Sequence, residues 1–267
     1  MRRNSGKGKA MIFDSHSHTE YSGDSDMKAA DALAAAGTLG LGLVFTEHLD
    51  LAYPGPISFT FDPRTYWEEY EPLRGDRLRL GVEIGMWDRT CEGSREFVDM
   101  VPFDLVIGSV HLIDGKDLYY KEAYGDEDKA SFYRRYYRQM AENVRLHSFI
   151  DVMGHIDYIA RYAPYDNPEV DYGTFQEEID DVLQALIDTD TVLELNTRRL
   201  GEKLALKELV PIYRRYREMG GRFITLGSDA HAADAVGMNF AAAQDFAAAL
   251  GLQIVTFCQR RLEICRE

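Results

Sequence analysis

Short apolar, β-branched runs alternate with longer amphipathic ones along most of the chain, and this alternation constrains the fold more than any other feature. Met11–Asp14 (MIFD), Gly42–Thr46 (GLVFT), Leu78–Glu83 (LRLGVE), Leu105–Val110 (LVIGSV), Asp151–Gly154 (DVMG), Val192–Leu195 (VLEL) and Arg222–Gly227 (RFITLG) read as buried strands. Helical patterns lie between several of them. Met27–Leu39 is alanine-rich, Asp128–His147 carries tyrosines and a methionine at helical spacing, and Gly173–Thr189 and Ala205–Met219 are amphipathic. Strand and helix repeated in this order imply parallel strands joined by right-handed crossovers. About seven such units in 267 residues favour an α/β barrel over an open sheet. Gln253–Arg260 offers one further strand.

One domain over residues 11–267 is the simplest organisation. The preceding MRRNSGKGKA is basic and rich in small residues, and no apolar stretch of a signal peptide follows it, so residues 1–10 are expected to be a flexible tail. Tyr53–Pro63, with three prolines, reads as a long loop, and Asp114–Asp126 as a second irregular segment. The longest apolar runs are far too short to cross a bilayer. Cys91, Cys258 and Cys265 are odd in number and widely separated, which fits a reducing cytoplasm and leaves no zinc-knuckle spacing. A formal net charge of −15 opposes binding to nucleic acid. No feature of the sequence specifies an oligomeric state.

The placement of histidines and acids is the informative observation. His16 and His18 follow the first strand, Glu47 and His48 the second, His111 the fourth, and His155 the fifth. Glu83 ends the third strand, Glu194 lies in the sixth, and Asp229 and His231 follow the seventh. Six of seven histidines thus fall at strand C-ends, which converge on one face of a parallel barrel. His147 alone ends a helix, and its reading is structural. In extended chain, side chains two residues apart point the same way, so His16 with His18, and Asp229 with His231, can each grip one ion. Imidazole and carboxylate suit zinc, iron or manganese. Ten candidates exceed the needs of one ion, whereas two or three ions bridged by a carboxylate would use most of them. Such a centre suits phosphate-ester hydrolysis.

Seven ordered blocks, DSHSHTEYSGDSDM, LGLVFTEHLD, GVEIG, VIGSVHLID, VMGHIDYIARY, LELNT and LGSDAH, span Asp14 to His231. On these the chain resembles the polymerase-and-histidinol-phosphatase (PHP) superfamily, and within it the histidinol-phosphate phosphatases. The resemblance implies a distorted seven-stranded β/α barrel with a trinuclear metal site. By position, His16, His18, Glu83 and Asp229 would ligate one ion. Glu83 would bridge to a second ion held by His111 and His155, and Asp24, His48 and His231 would serve a third. Some relatives carry histidine at the Asp24 position, and many carry aspartate where this chain has Glu47, expected just behind the ligands.

The resemblance further implies hydrolysis of L-histidinol phosphate to L-histidinol and inorganic phosphate, a step of histidine biosynthesis in the cytoplasm. Arg161, in HIDYIARY, would contact the phosphate together with Arg198 or Arg199 in LNTRRL. The doublet departs from the small residue and glycine of many relatives. Asp229 or His231 would pass a proton to the departing alkoxide. Glu122, Asp126 or Asp157 would supply an acidic mouth for a cationic amine. Phosphatase action on another small phosphomonoester is the alternative. A PHP-type exonuclease is disfavoured by the charge, and a non-catalytic metal module by the absence of gaps in the ligand set.

Overall fold

The computed structural model describes residues 11–265, so the expected N-terminal tail lies outside the described residues. Among the described residues eleven strands are present: β1 (Phe13–Ser17), β2 (Gly42–Leu49), β3 (Leu78–Gly85), β4 (Leu105–Ser109), β5 (Leu112–Ile113), β6 (Lys116–Asp117), β7 (Val152–Met153), β8 (Val192–Asn196), β9 (Phe223–Gly227), β10 (Gln253–Cys258) and β11 (Arg261–Ile264). Nine form one sheet in the order β1-β2-β3-β4-β7-β8-β9-β10-β11, parallel throughout except for the final β10–β11 hairpin. Beyond β9, Ala230 bridges back to Ser17 of β1: His18 N donates to Ala230 O at 2.8 Å and Asp229 N to His16 O at 2.9 Å. The mostly parallel sheet is therefore barrel-like, with its first and ninth strands brought together at their C-terminal ends.

Helices α1 (Ala29–Leu39), α2 (Pro63–Tyr70), α3 (Cys91–Val98), α4 (Lys129–Leu146), α5 (Ile159–Tyr162), α6 (Gln176–Asp188), α7 (Lys203–Met219) and α8 (Phe240–Leu250) lie between the strands. In α4, Phe132, Tyr133, Tyr136, Tyr137, Met140 and Val144 form a buried stripe of helical period, started by an Asp128 cap on Ser131 N. Helix α1 ends at Gly40, whose φ of 71° is the left-handed conformation glycine adopts at no steric cost. Helix α2 starts at Pro63, the last residue of the expected loop. Asp62 caps the amides of Arg64 and Thr65, Pro63 opens its first turn, and Tyr66 and Tyr70 are the buried anchors.

Two differences from the sequence expectation have physical causes. Strands β1 and β2 run on through His16 and His48, where polar residues seemed to end the apolar run; all of β2 is buried, with both faces covered. The expected strand at 253–260 forms as β10, and β11, absent from the sequence reading, turns back on it in a hairpin. β10 pairs with β9 only at Gln253 and Ile254, and Val255 and Phe257 then pack with Phe13, Val44, Leu105 and Val152 in a second apolar cluster at the N-terminal ends of the strands. Its turn is fastened by Gln259 N on Asp104 Oδ1 and by Arg260 on Asp151.

Candidate metal centre

Glu83 is the hub. Register places it on β3 opposite His48 of β2 and Ile107 of β4. Five histidines reach its buried carboxylate. Oε1 lies 2.8 Å from His155 Nε2 and 3.4 Å from His111 Nε2; Oε2 lies 2.9 Å from His48 Nδ1, 3.3 Å from His16 Nε2 and 3.5 Å from His18 Nε2. Ser109 Oγ donates to Oε1 at 2.6 Å. Asp229 sits across from it, Oδ1 3.4 Å from His18 Nε2 and 3.8 Å from His16 Nε2. Its φ of 56° is a left-handed conformation for a non-glycine residue, held by the bridge to β1. Asp24 Oδ2 lies 3.3 Å from His231 Nε2 and 3.7 Å from His48 Nε2.

These groups fit a divalent cation. Donor atoms of His16, His18 and Glu83, of Glu83, His111 and His155, of His48, Asp50 and His111, and of His18, His48 and His231 each gather within 4.8 Å. His16 Nε2, His18 Nε2, His48 Nδ1 and Glu83 Oε2 are buried with no hydrogen-bond partner, an arrangement that a bare protein interior avoids. Imidazole nitrogen and carboxylate oxygen are the donors of the zinc, iron and manganese class.

The electrostatics favour positive charge here. Burial would raise the Glu83 pKa, but His16, His48 and His111 outweigh it and hold the carboxyl well below its usual range. Burial acts likewise on Asp229 and is outweighed by Arg161 and His16. Burial opposes charge on His16, yet Glu194 and Glu83 raise its pKa well above the ordinary value; Asp50 and Glu83 do the same to His111. His18 is held well below it by burial and by His48 and His231, which leaves a neutral ring of the form able to bind a metal.

Behind this layer stand carboxylates that orient the rings. Glu194 Oε1 is 2.6 Å from His16 Nδ1, and its Oε2 accepts from His155 N at 3.0 Å. Asp50 Oδ1 is 2.9 Å from His111 Nδ1. Glu47 accepts from Ser22 Oγ at 2.7 Å, and that hydroxyl lies 3.0 Å from His18 Nδ1. Asp50 is the residue sequence reasoning missed. Its one visible cue was its place two residues after His48, just past the end of β2. Asp14 and His147 are structural: the first accepts from Ser228 and Gly237 amides, and the second anchors its Nδ1 on Asn143 O.

A cavity of about 240 Å³ opens on the cluster, lined among others by Asp24, His48, His155, Arg161, Arg198 and Asp229. Arg161 is buried, its Nη1 2.6 Å from Asp229 Oδ2, while its Nε and Nη2 have no partner. Arg198 is half exposed, with Nη1 3.4 Å from Asp229 O. Arg199 corrects the sequence expectation. It is not among the residues lining the cavity and is buried between Asp157 and Glu169, with Glu202 at 3.4 Å, because these acids hold its charge. The expected acidic mouth is also revised. Asp157 is taken by Arg199, Glu122 lines a neighbouring groove, and neither they nor Asp126 line the cavity.

Histidines and carboxylates gathered at the strand ends of a mostly parallel, barrel-like sheet define a class of α/β proteins able to hold metal. The chain belongs to the PHP domain family, which matches residues 14–198. It is similar to a probable histidinol-phosphatase of Clostridium acetobutylicum, 42% identical over 253 residues, 95% of this chain and 99% of that one. A histidinol-phosphatase of Lactococcus lactis is 30% identical over 236 residues, 83% of this chain and 84% of the other. The crystal structure of a Lactococcus lactis histidinol phosphate phosphatase, complexed with zinc, L-histidinol and phosphate, superposes with a TM-score of 0.90 at 28% identity, covering 95% of this chain and 99% of that chain.

Proposed function

We propose that this chain is a metal-dependent phosphomonoesterase that hydrolyses L-histidinol phosphate to L-histidinol and inorganic phosphate. The observation that carries the reading is the pairing of a histidine–carboxylate cluster with a buried arginine, Arg161, which lines the same cavity and whose Nε and Nη2 nitrogens have no partner. Full-length similarity to histidinol-phosphatases supports the choice of ester.

The ligand sets we assign are His16, His18, Glu83 and Asp229; Glu83, His111 and His155; and Asp24, His48 and His231, for two to three ions of zinc, iron or manganese. Such ions supply an acidified water and a positive field for the phosphoryl oxygens. Arg161, anchored on Asp229, offers Nε and Nη2 to the phosphate, and Arg198 approaches from the same cavity. Paired guanidinium donors match a phosphate dianion and follow the charge as it moves onto the equatorial oxygens. Asp229 is held ionised by Arg161 and has no proton to give the leaving alkoxide; His231, 21% exposed and lining the cavity, would deliver one only while it is not holding the third ion.

We read the seven parallel strands β1 to β4 and β7 to β9 as the barrel proper, within a single domain over residues 11–267. Among the described residues no helix is long and apolar enough to cross a membrane. The free cysteines and the small phosphorylated substrate suit a cytoplasmic enzyme.

Steady-state kinetics on a panel of phosphate monoesters, with metal analysis of the same preparation, tests the reading. Histidinol phosphate should exceed p-nitrophenyl phosphate in kcat/KM by about a hundredfold. Equal turnover of the two would remove the assigned substrate.

A further inference from the structure

The cavity holds four aspartates, and three of them face cations or imidazoles: Asp24 beside His48 and His231, Asp50 beside His111, Asp229 beside Arg161. Asp117, on β6, is different. Tyr53 donates its hydroxyl to Oδ2 at 2.5 Å, and Tyr119 N donates to Oδ1 at 2.8 Å. Both donors are neutral, and among the described residues Asp117 makes no ion pair. A half-buried carboxylate in a cavity, oriented by neutral donors and lacking a counter-charge, is a receptor for a cation. Aromatic rings surround that part of the cavity. Tyr53 packs edge-on against Phe59 at 4.7 Å, and Tyr158 against Tyr162 at 5.5 Å. Rings of this kind favour both a flat heterocycle and a nearby ammonium.

We propose that Asp117, positioned by Tyr53, recognises the ammonium group of the substrate's organic half and so confines the enzyme to amino-bearing phosphomonoesters. This rests on the phosphomonoesterase reading above and names the residue that sets its substrate class. Arg161 and Arg198 hold the phosphate end, and Asp117 holds the opposite charge at the other, so a substrate must carry both. The tether is built from two separate segments, the loop after β2 and the β5–β6 hairpin. Tyr53 and Asp117 also form the wall shared with the neighbouring groove that Glu122 lines.

The test compares 2-aminoethyl phosphate with ethyl phosphate, esters that differ by one ammonium group, in the wild-type metal-loaded enzyme and in Asp117→Asn and Tyr53→Phe. Wild type should favour the amino ester. In Asp117→Asn the ratio of the two kcat/KM values should fall about 10- to 100-fold, and the inhibition constant of L-histidinol should rise to a similar extent. Tyr53→Phe should move both readouts the same way by a smaller factor, with an unfolding temperature near wild type. Equal losses on both esters, or an unchanged ratio, would overturn the proposal. So would a wild type that treats the two esters alike, even if it hydrolyses histidinol phosphate. Conversely, a wild type that prefers the amino ester but shows no advantage with histidinol phosphate would sink the named substrate and leave Asp117 in its role.

Discussion

His16 and Glu194, 178 positions apart in the chain, meet through a 2.6 Å contact between imidazole Nδ1 and carboxylate Oε1. The contact turns His16 Nε2 toward Glu83 and fixes which nitrogen is free to bind metal. Replacing Glu194 by Gln keeps the shape and removes the charge. Metal affinity, measured by competition with a chelator, should drop about 10- to 100-fold. Unaltered affinity would show that Glu194 does not tune the ring.

Glu83 serves two of the donor groups at once. Glu83→Ala should therefore lower the metal content per chain by more than a single-site change such as His155→Ala does, and reduce kcat by at least about a hundredfold. Elemental analysis alongside rate measurements at saturating metal reads both effects. Retained activity under those conditions would contradict the shared-carboxylate arrangement. Removing metal with a chelator should abolish activity, and adding it back should restore it.

Arg161 and Arg199 should behave oppositely. Arg161→Ala removes the unpartnered Nε and Nη2 donors of a cavity-lining side chain and should cost about 10²- to 10³-fold in kcat/KM for any phosphate monoester. Arg199→Ala should leave KM near wild type and destabilise the fold by about 3–5 kcal/mol, since Asp157 and Glu169 would remain buried without their cation. Urea unfolding and steady-state kinetics on both variants separate the roles. Swapped outcomes would return Arg199 to the phosphate site.

Asp104 gives a pH-dependent prediction away from the metal cluster. Burial would raise its pKa, but Arg74 and the amides of Leu80 and Gln259 outweigh it and hold the carboxyl below its usual value. A depressed folded-state pKa means that the ionised form stabilises the fold above the unfolded-chain value of about 3.9. That stability is lost as pH falls from there through the folded value. Asp104→Asn should cost about 2–4 kcal/mol in urea unfolding at pH 7, with the gap from wild type narrowing below about pH 4. A gap constant with pH would assign the loss to packing rather than charge.

The sequence by itself determined the strand–helix alternation, the convergence of histidines on strand C-ends and the His16–His18 pair, because each depends on local period and spacing. It also carried the ordered blocks by which the PHP family is recognised. Helix α2 and the β10–β11 hairpin were not legible. The first is short and partly aromatic and begins at the last proline of the Tyr53–Pro63 stretch, and the second departs from β9 to cover the strand ends. The roles of Glu194, Asp50, Arg199 and Asp117 were decided by tertiary structure alone. A side chain's charge partner is set by which strands lie side by side and which way each turn sends its residues. Arg198 and Arg199 differ in nothing the chain order reveals, yet one faces the cavity and the other is clamped between buried acids. Spacing limits which residues can share a face, and only packing decides what each of them meets there.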